Sequence, residues 1–255
     1  MTPPRVHDPG RIIAHRGASR VAPENTLAAF RMAREQGVRW IEFDVTLLGD
    51  GLPVIHHDAS LDRCTSQTGP LLTLNALSLS AVDAGARFGD AFRGEPLPTL
   101  EATLDLIESL DLYANLELKL NDAEPASLAR AAASALAQRD WARSRIVVSS
   151  FDHTTLALFR QHSPDHPVAV LWRDPPADWR ETTRRLNASG VHMNHRYLRM
   201  EFLQEVRREG LDLRVYTIND PDLMLPFREQ GLTGVITDHP PLFTGLQDWR
   251  DWSMT

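Results

Sequence analysis

Short apolar segments rich in β-branched residues alternate with longer amphipathic segments along the whole of this chain. The short segments have the length and composition of buried strands, and the longer ones have the period of helices that cover a sheet. The eight predicted strands are Arg11–His15, Arg39–Leu47, Leu112–Lys119, Arg145–Ser149, Pro167–Leu171, Gly190–Met193, Leu213–Tyr216 and Gly234–Thr237. Because strands that alternate with helices pair in parallel through right-handed crossovers, this pattern predicts an α/β protein with a parallel sheet.

The amphipathic segments between these strands supply the predicted helices. Asn25 and Thr99 are residue types that commonly cap helix N-termini, and Gly37, Gly210 and Gly231 stand where helices commonly end. The predicted helices are Asn25–Glu35, Thr99–Leu110, Glu124–Gln138, Thr154–Gln161, Trp179–Leu186, Leu198–Arg208 and Asp220–Glu229.

The number of strands favours a closed (β/α)₈ barrel, or TIM barrel. A chain of 255 residues is close to the usual length of such a barrel, and no Gly/Ser-rich linker or break in composition divides it. We therefore predict one barrel domain over residues 1–255, in which Trp249 and Trp252 pack a final short helix or a subunit contact. An open, doubly wound parallel sheet is the alternative, since strand counts made from sequence err by one or two.

The segment Gly49–Pro98 does not follow the alternation. It begins with the turn signal Gly49-Asp50-Gly51 and continues as a short predicted strand over Leu52–His56; the residues after it are polar and interrupted by Gly and Pro. We predict that residues 49–98 form a small insertion after the second strand. In a barrel this position lies at the carboxyl ends of the strands, where active-site loops are found.

Composition and charge argue against several classes of function. The net charge of −7 gives no indication of a polybasic surface for nucleic acid or for an anionic membrane. No apolar run approaches the roughly 20 residues that span a bilayer, and the first residues lack the apolar core of a secretory signal. Cys64 is the single cysteine, so an intramolecular disulfide is excluded. The sequence therefore predicts a soluble, cytoplasmic protein without a stable membrane anchor.

The segment I-E-F-D-V in the second predicted strand carries two carboxylates, Glu42 and Asp44. Because side chains alternate along a strand, both point to one face, and Ile41, Phe43 and Val45 point to the other. Two like charges inside a barrel require a cation or a proton. A solvent-facing edge strand with alternating charge is the alternative, although a strand within a parallel series is normally covered on both faces.

The next main strand repeats this arrangement in N-L-E-L-K-L, which places Glu117 and Lys119 on one face. Taken alone, this pair is typical of an exposed ion pair. In a barrel, however, this strand lies beside the second strand, so we expect Glu117 to approach Glu42 and Asp44. Three carboxylates without a soft ligand are typical of a site for Mg²⁺ or Ca²⁺, and Lys119 provides a charge for a phosphate oxygen.

A histidine and an arginine follow each other at the end of the first predicted strand. His15 is a candidate catalytic residue because it lies at the carboxyl end of a barrel strand, and the Arg16 guanidinium matches the geometry of a phosphate. The segment P-E-N-T then opens a helix whose free N–H groups can hold an anion. Glu24 and Asn25 in this segment also have a simpler interpretation as helix-capping residues.

Two adjacent histidines, His56 and His57, follow the short predicted strand and precede Asp58. Adjacent residues of a strand point to opposite faces, so only one of the two imidazoles can face the site of His15. Asp58 or a neighbouring loop can orient that imidazole. Spacing alone does not choose between the two histidines.

The combined motifs resemble those of the glycerophosphodiester phosphodiesterase family. The first part of the chain contains H-R-G-A-S-R-V-A-P-E-N-T, E-F-D-V, D-G-L-P-V-I-H-H-D and L-D-R-C-T, and the later part contains N-L-E-L-K, V-S-S-F, V-Y-T-I-N and G-V-I-T-D-H-P. Nearly the whole chain is covered. Together with the missing signal segment, L-W-R-D and V-H-M-N-H resemble the cytosolic bacterial branch that is linked to glycerol-3-phosphate uptake.

This resemblance implies a (β/α)₈ barrel that hydrolyses a small-molecule glycerophosphodiester to sn-glycerol 3-phosphate and an alcohol. It implies that His15 and His57 are the acid–base pair, the latter because it is the histidine of the H-D pair. By the same match, Arg16 and Lys119 bind the phosphate. The implied ligands of a divalent cofactor, Mg²⁺ or Ca²⁺, are Glu42, Asp44 and Glu117.

Two other functions are compatible with the sequence. A lysophospholipase D-like phosphodiesterase that forms a cyclic phosphate needs an apolar channel, which the polar segment 62–94 does not suggest. A catalytically inactive barrel that binds a metal or a metabolite is disfavoured because both histidines and all three carboxylates are present. The preferred alcohol, the order of the acid and the base, and the oligomeric state stay open. So does the role of His239, which departs from the family's usual residue.

Overall fold

A computed structural model describes residues 3–6, 8, 10–246 and 249, so Trp252 lies outside the described residues. Its strands are β1 (Ile12–His15), β2 (Trp40–Leu47), β3 (Pro53–Ile55), β4 (Tyr113–Leu118), β5 (Ile146–Ser150), β6 (Val168–Trp172), β7 (Gly190–Asn194), β8 (Asp212–Tyr216) and β9 (Gly234–Thr237). Within this part of the chain, eight of them pair in parallel in the order β1-β2-β4-β5-β6-β7-β8-β9, and β9 pairs with β1 to close the sheet. The predicted TIM barrel is thus confirmed, and the open sheet is wrong.

Helices follow most of the barrel strands and cover the outside of the sheet. They are α1 (Leu27–Glu35), α2 (Leu100–Ser109), α3 (Pro125–Ala137), α4 (Ala142–Arg145), α5 (His153–His162), α6 (Trp179–Arg185), α7 (Met200–Arg208), α8 (Leu225–Glu229) and α9 (Pro241–Thr244). The predicted helix Asp220–Glu229 is wrong in its first half, where Pro221–Met224 form a 3₁₀ turn. Pro226 explains the break, because a proline is tolerated in the first turn of a helix but not in its interior.

The two faces of β2 divide the interior of the protein into two regions. Ile41, Phe43 and Val45 are fully buried in the large core between the barrel and its helices. Glu42 and Asp44 alternate with them and therefore point into the barrel, as the sequence predicts. Closer to the amino ends of the strands, the barrel is filled by a small apolar cluster of Ile13, Trp40, Val147, Ala169 and Ile236. Arg214 and His192 are also buried inside the barrel, where the Arg214 guanidinium lies over the ring of Trp40.

The predicted insertion after β2 is an irregular segment attached to the barrel. Its strand β3 is shorter than predicted and pairs antiparallel with the end of β2, where Val45 lies opposite Ile55. The following residues contain three 3₁₀ turns and pack around a small core of their own. That core consists of Leu48, Val54, Leu61, Leu71, Leu74, Val82, Ala84 and Leu97. The insertion therefore stands beside the carboxyl ends of β1 and β2 as a self-packed unit.

Along the described parts of the chain, every helix is too short or too polar to cross a bilayer. Near the C-terminus, Trp249 is fully buried against Phe243 of α9, with their ring centroids 4.9 Å apart. This contact agrees with the expectation that Trp249 packs a final short helix.

Candidate active site

A cavity of about 490 Å³ opens at the carboxyl ends of the barrel strands. Side chains from each of the nine strands given above, or from the residues that follow them, line this cavity. The lining side chains are His15, Arg16, Glu42, His57, Asn115, Glu117, Lys119, Phe151, Leu171, Asn194, His195, Arg196, Tyr216, Thr217 and Ile236. The cavity thus combines acidic, basic and imidazole groups with an apolar wall that includes Phe151 and Leu171.

Glu42, Asp44 and Glu117 converge on one point inside the barrel. The register of the sheet explains their proximity, because β2 and β4 pair with Asp44 opposite Glu117. One carboxylate oxygen from each residue lies within 4.8 Å of the others, and all three residues are buried. Carboxylate oxygens at this spacing are the ligands that a hard divalent cation prefers.

The electrostatics of this cluster also fit a cation. Burial, and then the charges of Asp44 and Glu117, raise the pKa of Glu42 well above its usual range. Burial and the charge of Asp44 raise the pKa of Glu117 to about 7. Burial acts in the same direction on Asp44, but Arg16 and Lys119 outweigh it and lower the pKa of Asp44 to about 2. A positive charge between the three groups would therefore favour the ionised forms of Glu42 and Glu117.

Two positively charged side chains, those of Arg16 and Lys119, lie beside the carboxylates. The Arg16 Nε lies 3.3 Å from the Asp44 Oδ2, and the Lys119 Nζ lies 2.8 Å from the Glu117 Oε1. The Arg16 backbone N–H also donates to the Glu42 Oε2 at 3.0 Å, and Arg16 has a left-handed backbone with a φ of 55°. Arg16 and Lys119 are thus held next to the carboxylate cluster, where both face the cavity.

Asn25 and Glu24 belong to the site rather than to the helix cap. The N-cap of α1 is Thr26, whose hydroxyl accepts from the Ala29 N–H, so the expectation that Asn25 caps this helix is wrong. The Asn25 side chain instead donates to the Asp44 Oδ2 at 2.8 Å and accepts from the Asp44 backbone N–H. Glu24 accepts from the Arg16 Nη1 at 2.8 Å. The P-E-N-T segment therefore orients two residues of the candidate site.

His15 is oriented by a carboxylate from the far end of the chain. Its Nδ1 lies 2.6 Å from the Oδ1 of Asp238, which follows β9 directly. Burial opposes ionisation of Asp238, but the hydrogen bond and charge of His15 lower the pKa of Asp238 to about 2. With Nδ1 bound to a carboxylate, Nε2 is the nitrogen that faces the cavity side, 3.9 Å from the Glu42 Oε2.

His57 has the same arrangement with a neighbour in sequence. Its Nδ1 lies 2.6 Å from the Asp58 Oδ1, and its ring lines the cavity. Burial lowers the pKa of His57, although Asp44 opposes this shift. His56 is buried and points elsewhere, since its Nε2 bonds to the Ser60 carbonyl. Of the two adjacent histidines, His57 is therefore the one placed beside the cavity.

Sequence reasoning assigned no role to Asp238, Arg63 or Asn115. The contact of Asp238 with His15 could have been predicted, because a residue that directly follows the last strand lies beside the end of the first strand in a closed barrel. Arg63 contacts Asp58 and Glu24 from within the irregular insertion, and no periodic pattern predicts such contacts. Asn115 lies opposite Glu42 in the register and lines the cavity.

The closed barrel and the chemistry of this cavity define a (β/α)₈-barrel enzyme whose site suits a divalent cation and an anionic substrate. Comparison with known proteins gives the family. Residues 15–242 match the glycerophosphoryl diester phosphodiesterase family, and the chain belongs to it. The predicted phosphoric diester hydrolase activity on glycerophosphodiesters is thereby confirmed, as is the family resemblance.

Three relatives illustrate the similarity. A glycerophosphodiester phosphodiesterase of Caldanaerobacter subterraneus is 30% identical over 92% of this chain and 96% of its own length. The structure of an Oleispira antarctica phosphodiesterase in complex with the product sn-glycerol-3-phosphate is 32% identical, covers 94% of this chain and 96% of that one, and superimposes with a TM-score of 0.88. A glycerophosphodiester phosphodiesterase of Thermotoga maritima is 26% identical over 93% of this chain and 98% of that one, with a TM-score of 0.73.

Proposed function

We propose that the cavity at the carboxyl ends of the strands hydrolyses a glycerophosphodiester to sn-glycerol 3-phosphate and an alcohol, with His15 and His57 as the acid–base pair. The observation that carries this proposal is the convergence of both imidazoles and three buried carboxylates on one cavity. The similar Oleispira enzyme binds sn-glycerol-3-phosphate as a product, which supports this choice of product.

Glu42, Asp44 and Glu117 are the proposed ligands of a divalent ion, Mg²⁺ or Ca²⁺. Their oxygen donors, spacing and burial fit such an ion, and the raised pKa values of Glu42 and Glu117 support the proposal, because a bound cation would favour their ionised forms. When bound, such an ion would supply positive charge that offsets the phosphate anion and a Lewis acid that would bind the glycerol hydroxyls. Asn25 keeps Asp44 in place through two hydrogen bonds.

Arg16 and Lys119 are the proposed phosphate-binding residues. Both side chains border the carboxylate cluster and face the cavity. A phosphodiester carries a negative charge that repels an attacking oxygen, and two fixed cations reduce that repulsion. Arg16 presents a planar fork that is held by Glu24, whereas Lys119 provides a point charge beside Glu117.

The two imidazoles supply one base and one acid. In each, a carboxylate binds Nδ1, so that Nε2 exchanges the proton. One takes the proton of the substrate's own 2-hydroxyl as its oxygen attacks phosphorus, and the other protonates the departing alcohol, which leaves a cyclic phosphate. Water then opens the cyclic phosphate to glycerol 3-phosphate, with the two imidazoles exchanging roles. Attack by a hydroxyl of the same substrate molecule gains from its high effective concentration.

An assay of the purified protein tests this function. We expect release of glycerol 3-phosphate from glycerophosphocholine and glycerophosphoethanolamine, measured by coupled oxidation, with Mg²⁺ or Ca²⁺ present. His15→Ala and His57→Ala should each lower kcat by about 10²–10⁴-fold. The matched control is His56→Gln, which lies beside His57 in sequence but points away from the cavity, and it should cost far less.

Three outcomes would overturn the proposal. A near-normal kcat of His15→Ala or His57→Ala at saturating metal would show that these residues are not the acid–base pair. Full activity of the wild type after EDTA treatment would show that the reaction does not need a divalent ion. Release of choline from lysophosphatidylcholine in preference to the glycerophosphodiesters replaces the substrate class with that of a lysophospholipase D-like enzyme.

We also propose that the protein acts in the cytoplasm and belongs to the cytosolic bacterial branch linked to glycerol-3-phosphate uptake. The single cysteine, Cys64, agrees with a reducing compartment. We treat residues 1–255 as one domain with residues 49–98 as an insertion, which the pairing of β3 with β2 supports. Cell fractionation tests the compartment, and limited proteolysis tests the domain boundaries.

A further inference from the structure

Arg63 of the insertion makes three charged hydrogen bonds to two carboxylates near the site. Its Nε donates to the Asp58 Oδ2 at 2.6 Å. Its Nη1 and Nη2 donate to the two oxygens of Glu24 at 2.7 and 2.8 Å. A bidentate pair on one carboxylate together with a bond to a second fixes the plane of the guanidinium.

These contacts place Arg63 in the middle of a line of alternating charges. On one side, Asp58 binds the Nδ1 of His57 at 2.6 Å. On the other side, Glu24 binds the Nη1 of Arg16 at 2.8 Å. Arg63 therefore connects the loop after β3, which carries His57, with the loop after β1, which carries Arg16.

The exposure of Arg63 argues against a large role in stability. Its side chain is 47% exposed, and those of Asp58 and Glu24 are 25% and 21% exposed. Ion pairs in such surroundings contribute little to the free energy of unfolding. The three short hydrogen bonds instead fix the orientation of the two carboxylates, because each bond restricts the rotation of the carboxylate that accepts it.

We propose that Arg63 is a positioning residue, which holds Asp58 so that this carboxylate binds the Nδ1–H of His57 and turns Nε2 towards the cavity. The inference rests on the proposed function, in which His57 transfers a proton. Asp58 has two oxygens, and Arg63 occupies Oδ2 while His57 occupies Oδ1. Without Arg63 the carboxylate can rotate, and the imidazole loses the contact that fixes its tautomer.

The variants Arg63→Gln and Arg63→Lys test this role, because neither side chain can bind Asp58 and both oxygens of Glu24 in the same plane. We expect Arg63→Gln to lower kcat by about 10–100-fold, with a smaller change in KM. Arg63→Lys should recover only part of the loss. The matched control is Arg87→Gln: Arg87 is also exposed and borders the same small cavity as Arg63, but its Nε donates to the Thr65 carbonyl.

Two further measurements separate positioning from a purely structural role. In the ¹⁵N NMR spectrum of the wild type we expect His57 as the Nδ1–H tautomer when neutral, and in Arg63→Gln a shift towards Nε2–H. Asp58→Asn should show the same shift. If Arg63 acts through Asp58, the kcat of the double variant Arg63→Gln/Asp58→Asn equals that of Asp58→Asn alone.

The outcomes distinguish this inference from the proposed function. Wild-type kcat and an unchanged His57 tautomer in Arg63→Gln would overturn the positioning role while His57→Ala still abolishes activity. Equal losses of kcat in Arg63→Gln and Arg87→Gln would overturn it as well, because a general effect on the insertion then explains both. If His57→Ala keeps its activity, the proposed function fails, and the NMR measurement alone decides whether Arg63 positions the imidazole.

Discussion

His15 and Asp238 form a hydrogen bond of 2.6 Å between Nδ1 and Oδ1, although 223 residues separate them in sequence. Pairing of β1 with β9, in which Ala14 lies opposite Thr237, brings them together when the barrel closes. His57 and Asp58 form a second pair of the same length between adjacent residues. An imidazole at the end of β1 and another in the loop after β3 thus present the same nitrogen to one cavity, because a carboxylate binds the other nitrogen of each.

Replacing Asp238 by Asn should lower kcat without unfolding the protein. The pKa of Asp238 is lowered to about 2 despite its burial, so the group is a carboxylate throughout the neutral range. An amide stabilises neither the Nδ1–H tautomer nor the imidazolium of His15 to the same degree, and we expect a fall in kcat of about 10²-fold or more.

The control for this prediction is Ser19→Ala. The Ser19 hydroxyl donates to the same Asp238 oxygen, but at 3.3 Å and without a charge, so the change in kcat should stay within about threefold. A kcat of Asp238→Asn equal to that of the wild type would show that His15 needs no carboxylate partner.

Glu42→Gln should separate stability from metal binding. In the metal-free protein, burial and the charges of Asp44 and Glu117 oppose ionisation of Glu42, and a neutral Gln removes that cost, so the metal-free Tm should stay equal or rise. A divalent ion that binds only the folded wild type raises its Tm. At an ion concentration of 100 times Kd, binding adds about 2.7 kcal/mol to the free energy of unfolding. This metal-dependent rise should disappear in Glu42→Gln, as measured by calorimetry with EDTA or with Mg²⁺ or Ca²⁺.

Glu95→Gln is the matched control, because the Glu95 carboxylate accepts from the Ala28 N–H outside the cluster. It should keep the metal-dependent rise in Tm. An equal rise in Glu42→Gln and in the wild type would mean that the ion binds elsewhere.

Much of the barrel and the position of its carboxylates can be predicted from the sequence, because side chains alternate between the two faces of a strand. The alternation of Glu42 and Asp44 with Phe43 decides which face carries the carboxylates, and parallel pairing brings Glu117 beside Asp44. The choice of His57 over His56 is different, since it depends on how the chain leaves β3 after pairing with β2. Here the family resemblance supplied what spacing did not.

Contacts made by irregular backbone were not predictable in the same way. Asn25 appeared as a cap because its residue type is common there, but its left-handed φ of 58° turns the side chain to Asp44, and Thr26 caps the helix. Arg63 reaches Glu24 only because the insertion folds around its own apolar core. Such contacts depend on tertiary packing, which no local pattern encodes.

Gly17→Ala should damage both stability and activity. Gly17 has a φ of +81°, and a Cβ there would lie 2.7 Å from the backbone carbon of Ala29 in α1. The left-handed backbone costs an L-residue about 1–2 kcal/mol, and the steric conflict adds about 1–3 kcal/mol. Because Gly17 follows Arg16, relief of the conflict moves the loop that carries Arg16, and kcat/KM should fall as well.

Gly37→Ala isolates the backbone part of this effect. Gly37 has a φ of +84°, but a Cβ there would meet no atom within 4 Å. We expect a loss of about 1–2 kcal/mol in urea unfolding and an unchanged kcat/KM. Equal losses of stability in the two variants would show that Gly17 is needed for its φ alone.

His166 should make the protein less stable below neutral pH. It is buried against Phe159, and burial together with the charge of Arg160 lowers the pKa of His166 to about 4, from an ordinary value of 6.5. Between these two values the unfolded chain binds a proton that the folded protein does not. The free energy of unfolding therefore falls as the pH decreases from about 6.5 to 4, with a contribution of up to about 1.4 kcal/mol per pH unit from this group.

His166→Gln should remove this contribution, so the slope of the free energy of unfolding against pH should fall by the equivalent of up to about one proton. Urea unfolding between pH 4 and pH 8 measures this slope. His162→Gln is the control, because His162 ends α5 close by but is exposed, and it should leave the slope unchanged. Part of the slope remains in either variant, since burial also lowers the pKa of His192 inside the barrel. A slope in His166→Gln as steep as that of the wild type would mean that His166 is protonated in the folded protein across this range.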